Sequence, residues 1–522
     1  MITLLDYGAG NVRSVVNAIE KLGECVHLAS GPEDIANAEK LVFPGVGNFG
    51  SMMRVLDEKG YRAALKAYLK SDRPFLGICL GLQALFEESA EAPEIAGLGV
   101  IAGTVRRFDV ALSVPHIGWN AISIQQETAM FNHLRGDEKF YFVHSYHVVP
   151  RDPDVILTRT VYGKTFVSSI KLGNIVATQF HPEKSGDAGL RVFRNFIQPG
   201  AGRPAPIGEG RDAGLAKRIV ACLDVRGNDA GELVVTKGDQ YDVRERGEVR
   251  NLGKPVDLAR QYYEAGADEI TFLNITGFRD FPLKDLPMLE VLRQSSRHVF
   301  VPLTIGGGIR DYTDPGGRTY SALEVAAEYF RSGADKISIG SDAVMIVENY
   351  LATGELTGKS AIEAISSVYG NQAVVISVDP RRVYVSEPGG NYHVIETTIA
   401  GPDNERYCWF QCTVKGGREG RPVDAVTLAK VCEKMGAGEI LLNSIDRDGS
   451  NSGFDIELIN AVADAVAIPV IASSGAGDVT HFLDLFTRTA AEAGLAAGIF
   501  HRREVPIADV KKYLSGKVVV RL

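Results

Sequence analysis

The chain has 522 residues, 45% hydrophobic and 23% charged, with a formal net charge of −9. That length suits roughly two to four soluble globular domains, and the negative balance excludes bulk attraction to nucleic acid or an anionic membrane, so any phosphate recognition must be local. Six cysteines (25, 79, 222, 408, 412, 432) show no disulfide or zinc-ligand spacing, which suits a reducing compartment and gives no metal site or cofactor.

Met1 opens directly into the strand-like Ile2–Tyr7, with no signal region. No apolar run reaches membrane-spanning length, and a transit peptide already removed would leave no trace. The expectation is a soluble intracellular protein of the cytoplasm, or of the plastid stroma if such a peptide was lost. Gly8–Asn11 turns into a helix through Ala18 and Ile19 to Leu22 and Gly23. Leu41–Phe43 is a second strand, closed by the loop Pro44-Gly45-Val46-Gly47.

Arg73–Gln83 (RPFLGICLGLQ) carries the first chemistry. An apolar run, Pro74–Ile78, meets Cys79, and Leu80–Phe86 continues at helical spacing. Glycines at 77 and 81 leave room for backbone to pass close to an exposed Cβ, the logic of a nucleophile elbow with sulfur for oxygen. Amides at the new helix start would help hold an oxyanion. A buried thiol in a glycine-rich turn is the alternative reading. Strands alternating with helices argue a parallel α/β sheet, whose ligands gather beyond the carboxyl ends of strands.

After Gly97 the chain turns to short strands: Trp119–Ile122, Tyr141–Val149, Phe166–Ile170 and Ile175–Phe180. His181-Pro182-Glu183 follows, and Leu190–Ile197 closes as a helix. Of ten histidines, His181 is the best-placed base for a thiol. Glu183 stands two residues on, so Cys79, His181 and Glu183 form a nucleophile–base–orienter set; a strand-end surface histidine is the alternative. Gln198–Gly214 holds eight Gly or Pro in seventeen residues and reads as a linker.

From Ala216 eight strand-like runs recur, mostly separated by helix-like ones: 218–225, 269–274, 299–305, 336–340, 373–379, 439–445, 468–473 and 493–498. They suit a (β/α)8 TIM barrel. Gly266-Ala-Asp-Glu-Ile recurs about 170 residues later as Gly436-Ala-Gly-Glu-Ile, an echo of two half-barrels. Residues 381–421 are too long and irregular for a simple connection and read as an insertion. The division expected is 1–197, a linker at 198–214, and a barrel at 215–522.

Asp224 and Asp379 end strands one and five, on opposite sides of the barrel mouth, where charge reads as catalytic. They suit acid and base work, or alternatively capping of the following loops. Gly306–Gly308 and Ser474–Gly477 follow strands three and seven; Gly340-Ser341 and Ala497-Gly498 follow strands four and eight. Such ends expose amides to phosphate, so Gly307, Gly308, Gly340 and Ser341 would take one phosphate, and Ser474, Gly475, Ala497 and Gly498 another. Arg218, Glu269, Lys336 and Glu439 begin strands one, two, four and six and can close a charged ring across the opposite face. A structural plug is the alternative there. For the whole barrel, a two-phosphate sugar isomerase is the alternative.

GICLGLQ, the PGVG loop and QFHPEKSG together resemble class I glutamine amidotransferases over roughly residues 1–197. The resemblance implies an open α/β sheet in which Cys79 attacks the glutamine side-chain amide, His181 moves the proton to departing ammonia and Glu183 orients it. It implies oxyanion donors at Gly45, Val46, Gly47 and Leu80, and glutamine held by Gln83, Ser145 and Tyr146. The second half, through KRIVACLDV, VVTKGDQYDVRE, LTIGGGIR, GADKISIGSDA, GEILLNSIDRDGS and IPVIASSGAG, is similar to the cyclases of the imidazole glycerol phosphate synthase family. The whole looks like that family's fused bifunctional form of eukaryotes, particularly plant-like ones.

The implied substrates are glutamine and phosphoribulosyl-formimino aminoimidazole carboxamide ribotide, PRFAR, with no separate partner subunit. Asp224 and Asp379 carry over as acid and base, Lys237 sits on the first loop and Asp448 on the loop after strand six. Asn274 and Asn443 stand where bacterial relatives have Asp and Thr. The resemblance reinforces the reading of the ring as an ammonia gate facing the Cys79 site, with Trp119 and Tyr141 expected near the junction. A second expectation is regulatory: glutamine hydrolysis should rise when the barrel ligand binds, so that glutamine is not wasted.

Overall fold

In this computed structural model the structure describes all residues except 9, 201, 209–212, 237–243, 246–247, 250, 276–282 and 284–285. Lys237 therefore lies outside the described residues.

Ile2–Leu5, Leu41–Gly45, Phe75–Cys79 and Ile175–Thr178 are buried along their whole length. Such unbroken apolar runs suit strands covered on both faces. They lie parallel at the centre of one sheet, Gly45 beside Cys79 and Ile78 beside Thr178. The Pro44–Gly47 loop, Cys79 and His181 thus emerge at one carboxyl edge. Beyond Ile175–Thr178 the sheet continues antiparallel through Lys164–Leu172, Tyr146–Pro150 and Gly103–Arg107. A separate buried ribbon pairs His116–Ala121 with Lys139–His144.

The helix Val12–Lys21 starts at Asn11, whose Oδ1 accepts from the Ser14 amide. Its Nδ2 reaches the second half of the chain, donating to the Gly333 carbonyl and to Asp335 at 2.8–2.9 Å. One side chain caps a helix and joins two folded units.

The second unit is a barrel of eight parallel strands: Arg218–Gly227, Glu269–Asn274, Leu303–Gly306, Lys336–Ile339, Val374–Val378, Glu439–Asn443, Val470–Ser473 and Ala493–Ala496. The last pairs with the first and closes it. Strands three and seven begin later than the apolar pattern suggests, after Pro302 and Pro469, because proline has no N–H to give a ladder. Alternation along strand one turns Ile219, Ala221, Leu223 and Val225 to the surrounding helices and Val220 and Cys222 to the barrel interior. The same period of two places Arg218 at one end of the interior and Asp224 at the other, roughly 20 Å apart at about 3.3 Å per residue.

The expected insertion forms a sheet of its own: Pro380–Val385, Ile395–Glu396, Tyr407–Val414 and Glu419–Asp424. It is pinned by Arg382, a buried guanidinium paired with Asp455 at 2.5 Å and Glu457 at 2.9 Å. Arg203 and Gly208 of the glycine-rich linker are tied to the first unit. Gly208 donates to and pairs with Ile124, the Ser123 hydroxyl donates to the Gly208 carbonyl, and the Arg203 carbonyl accepts from His133. Among the described residues no helix is long and apolar enough to cross a membrane.

Candidate functional site

Strand Phe75–Cys79 passes directly into the helix Leu80–Gln83. The reversal falls on Cys79 itself, at φ 54° and ψ −105°, a strained conformation for a residue with a Cβ that costs about 1–3 kcal/mol. The flanking glycines follow from close backbone approach. A Cβ at 81 would stand 2.0 Å from the Phe43 carbonyl oxygen, and one at 77 would stand 2.8 Å from the Gly81 oxygen.

Four buried side chains meet here. His181 Nδ1 lies 2.7 Å from Glu183 Oε1, and Gln179 Nε2 donates to Cys79 Sγ at 3.4 Å. With Nδ1 spent on Glu183, the interaction of His181 with the Cys79 sulfur falls to Nε2, which has no other partner. Burial alone would strip His181 of its proton. Glu183 and then Cys79 outweigh burial, and the imidazole is pushed up to about 10.

The expected oxyanion loop is placed differently. The Val46 N–H is taken by Tyr7 Oη at 3.0 Å, and the same hydroxyl donates to the Val46 carbonyl at 2.5 Å. Val46 is therefore not presented to Cys79 as a donor. Gly45 packs on Leu80, a Cβ there falling 2.4 Å from that of Leu80. Gly47 is pressed against the Val368 carbonyl of the barrel, which also accepts from the Asn48 amide at 3.3 Å. Of the expected glutamine contacts, Gln83 Nε2 donates to the Tyr146 carbonyl at 3.2 Å and to Gln179 Oε1 at 3.1 Å, leaving its buried Oε1 unmatched. The Ser145 hydroxyl turns to the barrel and donates to Asn371 Oδ1 at 3.3 Å.

Between this site and the barrel lies a cavity of about 40 Å³. Val46, His181 and Glu183 line one side, Lys336, Tyr369 and Gln372 the other. Lys184, next to Glu183, is buried and paired with Asp335 at 2.6 Å. The barrel floor beyond is a closed ring. Arg218 pairs with Glu269 at 2.9 Å and Glu439 at 2.5 Å; Lys336 pairs with the same two carboxylates at 2.7 and 2.6 Å. All four are at most 1% exposed. Burial would raise Glu439, but Arg218 and then Lys336 hold it below its ordinary value. The Tyr141 hydroxyl stands nearby, buried and unpaired; burial first and Glu269 second push it well above the phenol range. Trp119 Nε1 donates to the Asp268 carbonyl at 3.1 Å, across the junction.

The opposite end of the barrel opens into a cavity of about 570 Å³. Asp224, Asp379, Asp448, Ser474, Gly475, Ala497 and Gly498 line it together. Burial raises Asp379, while Asn443 Nδ2, donating at 2.7 Å, opposes the shift. Gly307, Gly308, Gly340 and Ser341 do not line this cavity. A Cβ at Gly307 would fall 2.2 Å from the Asn274 carbonyl, and the Ser341 hydroxyl accepts from Lys415 N at 3.2 Å. Lys415–Arg418 of the insertion lines the cavity. Sequence reading also missed Gln179, although it stands in QFHPEKSG; it points at the nucleophile from inside a motif read for its histidine. Tyr7 and Asn371 carry no motif and follow only from packing.

A family model described as glutamine amidotransferase class-I matches residues 3–199, and one described as histidine biosynthesis protein matches residues 218–506. The chain is 60% identical to a chloroplastic imidazole glycerol phosphate synthase hisHF of Arabidopsis thaliana, covering 99% of this chain and 88% of that protein. It is 54% identical to the hisHF of Schizosaccharomyces pombe, over 99% and 98% respectively. An imidazole glycerol phosphate synthase subunit HisF of Methanosphaera stadtmanae is 40% identical over 58% of this chain and 97% of its own.

Proposed function

The chain belongs to the bifunctional imidazole glycerol phosphate synthases, which join a glutamine amidotransferase to a cyclase of histidine biosynthesis in one polypeptide, and on that premise we propose how its residues divide the work. Cys79 attacks the glutamine amide carbon. His181, charged and beside the sulfur, favours the thiolate and gives its proton to the departing nitrogen, so ammonia leaves and a thioester remains for water to cleave. Glu183 holds the imidazole. The unmatched Oε1 of Gln83 supports a contact to the glutamine α-ammonium.

Ammonia then enters the cavity beside His181 and passes the ring by displacement of Lys336, the ring's flexible cation. Within the barrel, Asp224 and Asp379 exchange protons with the ammonia adduct of PRFAR, giving imidazole glycerol phosphate and aminoimidazole carboxamide ribotide. Burial moves Asp379 toward the range useful for proton transfer. Ser474, Gly475, Ala497 and Gly498, which line the aspartate cavity, take one phosphate; Gly307, Gly308, Gly340 and Ser341, which follow strands three and four at the same end of the barrel but outside that cavity, take the other. The observation that carries this reading is the single cavity lined by both His181 and Lys336. Glutamine labelled with ¹⁵N at the amide tests it: label should enter the imidazole even under excess unlabelled ammonium at neutral pH, and full dilution by the bulk pool would overturn it.

Stimulation of glutamine hydrolysis by the barrel ligand is supported by Val46 and Gly47. Tyr7 occupies one donor, while the barrel's Val368 holds the next two residues. A small shift of the helix Ala361–Tyr369 would move Gly47 and Asn48 with it and so draw the Val46 amide off Tyr7 toward the oxyanion. Glutamate release measured with and without a bis-phosphate ligand decides this; equal rates exclude it.

A further inference from the structure

Two buried histidines outside the catalytic set, His116 and His144, face each other across one end of the junction ribbon. Their partners fix their protons. His144 Nδ1 lies 2.7 Å from the Tyr146 carbonyl, which can only accept, so Nδ1 carries hydrogen. His144 Nε2 then accepts from His116 Nδ1 at 3.2 Å, and His116 Nε2 accepts from Asn120 Nδ2 at 3.4 Å. Asn120 is itself oriented at both ends: Nδ2 also donates to the Val161 carbonyl at 2.9 Å, and Oδ1 accepts from the Ala121 amide. Beyond the Tyr146 carbonyl the line continues, because that oxygen also accepts from Gln83 Nε2; Gln83 bonds Gln179, and Gln179 donates to Cys79 Sγ.

We propose that His116 and His144 are positioning residues for glutamine hydrolysis: a hydrogen-bond relay running one way from Asn120 to the Tyr146 carbonyl fixes that oxygen, and Gln83, which donates to it from the other side, and Gln179 carry the constraint to the glutamine pocket and the sulfur. The relay starts next to Trp119, whose carbonyl accepts from Ala216 and whose indole bonds Asp268 of the barrel. It therefore references the pocket to the junction. Both rings must stay neutral for the order to hold. Burial keeps His144 down to about 3 and holds His116 well below its ordinary value. Stacking of His116 on Tyr162 at 3.9 Å and Phe142 at 4.9 Å fixes its plane.

The inference rests on the reading of Cys79 as nucleophile, and the test separates the two in the full-length enzyme. His144→Leu keeps the bulk and removes the donor to Tyr146; His144→Asn restores a donor at the Nδ1 position. For the leucine variant the KM for glutamine should rise about five- to tenfold, as for loss of one neutral hydrogen bond. The asparagine variant should stay within about twofold of wild type, and ammonium-driven cyclisation should be unchanged in both. An unchanged KM in the leucine variant, or equal KM values in the two variants, would overturn the relay. Should either variant fail to fold, ¹⁵N spectra of the histidine-labelled wild type decide: protons on Nδ1 of both rings support the relay, and a proton on His144 Nε2 refutes it. Glutamine hydrolysis surviving Cys79→Ala would sink the site reading instead.

Discussion

The two ends of the proposed ammonia route are built on opposite principles. At the thiol end Cys79, Gln179, His181 and Glu183 are all buried, the cavity is about 40 Å³, and strain at Cys79 is held by glycines that nothing larger could replace. At the aspartate end the cavity is about 570 Å³ and polar groups from many loops converge on open space. The small nucleophile proposed for one end has to be kept from water, whereas the two-phosphate substrate proposed for the other needs room and many donors. The thiol end should therefore be intolerant of volume, and the aspartate end intolerant of lost charge.

Separate removal of the two chemistries is the largest test of that contrast. Cys79→Ala should abolish glutamine-dependent turnover while ammonium-driven cyclisation survives. Asp379→Asn should cut cyclisation by about 10²–10⁴ with either nitrogen source and spare basal glutamine hydrolysis. A single substitution that removed both activities in a folded enzyme would erase the distinction.

Lys336→Ala sits between the ends. Glutamate should still form, but imidazole product per glutamate should fall several-fold, read from the ratio of the two products. Breaking a buried ion network also costs about 3–5 kcal/mol, so a lower melting temperature should accompany uncoupling. A ratio kept at the wild-type value rules out the gate.

Volume is tested by Gly81→Ala. The new Cβ would meet the Phe43 carbonyl at 2.0 Å, and glutamine hydrolysis should fall by about 10²–10³, the order for misplacing one oxyanion donor. The matched change Gly340→Ala, where φ is −106° and the nearest described atom lies at 3.8 Å, should cost far less. Comparable losses would contradict the contrast in packing.

The smallest effect expected is in acid. His144 and His147 are held by burial down to about 3 and about 4, and His116 well below normal. In the unfolded chain each takes a proton near pH ~6.5. The stabilisation from keeping them neutral is thus fully present above that pH, and it drains away as pH falls toward the folded values. Calorimetry between pH 7 and pH 5 should show the amidotransferase transition lowered more than the barrel transition, because its three depressed histidines outweigh both the raised His181, which acts in the opposite sense, and the barrel's one such group, His501, held down to about 4 by burial; parallel shifts would refute this account.

The strands were legible because parallel sheets write themselves as continuous apolar runs, and the barrel because that pattern repeats eight times. Cys79, His181 and Glu183 were readable for a different reason: each stands in a short stretch whose neighbours are dictated by local geometry. What escaped is set by contacts between distant segments. Nothing at Tyr7 announces its grip on Val46, and nothing at Ser145 announces Asn371. The phosphate cradle expected at Gly307, Gly308, Gly340 and Ser341 was read from glycine-rich strand ends and the half-barrel echo; that the missing side chain at Gly307 also lets the Asn274 carbonyl approach is a contact no such pattern shows. His116 and His144 gave no periodic signal, since a buried histidine differs from its neighbours only in what it touches.

The linker bears on how the two halves could be taken apart. Its residues 203–208 are laid along the amidotransferase edge rather than hanging between the units. The seam itself carries its own adhesives, including Lys184–Asp335, Asn11–Asp335 and the Asn17–Ser296 bond. Covalent continuity therefore adds little to the adhesion of surfaces that already fit. A protease nick near the linker, or co-expression of the halves from two separate reading frames, should yield a stoichiometric heterodimer that still couples both reactions.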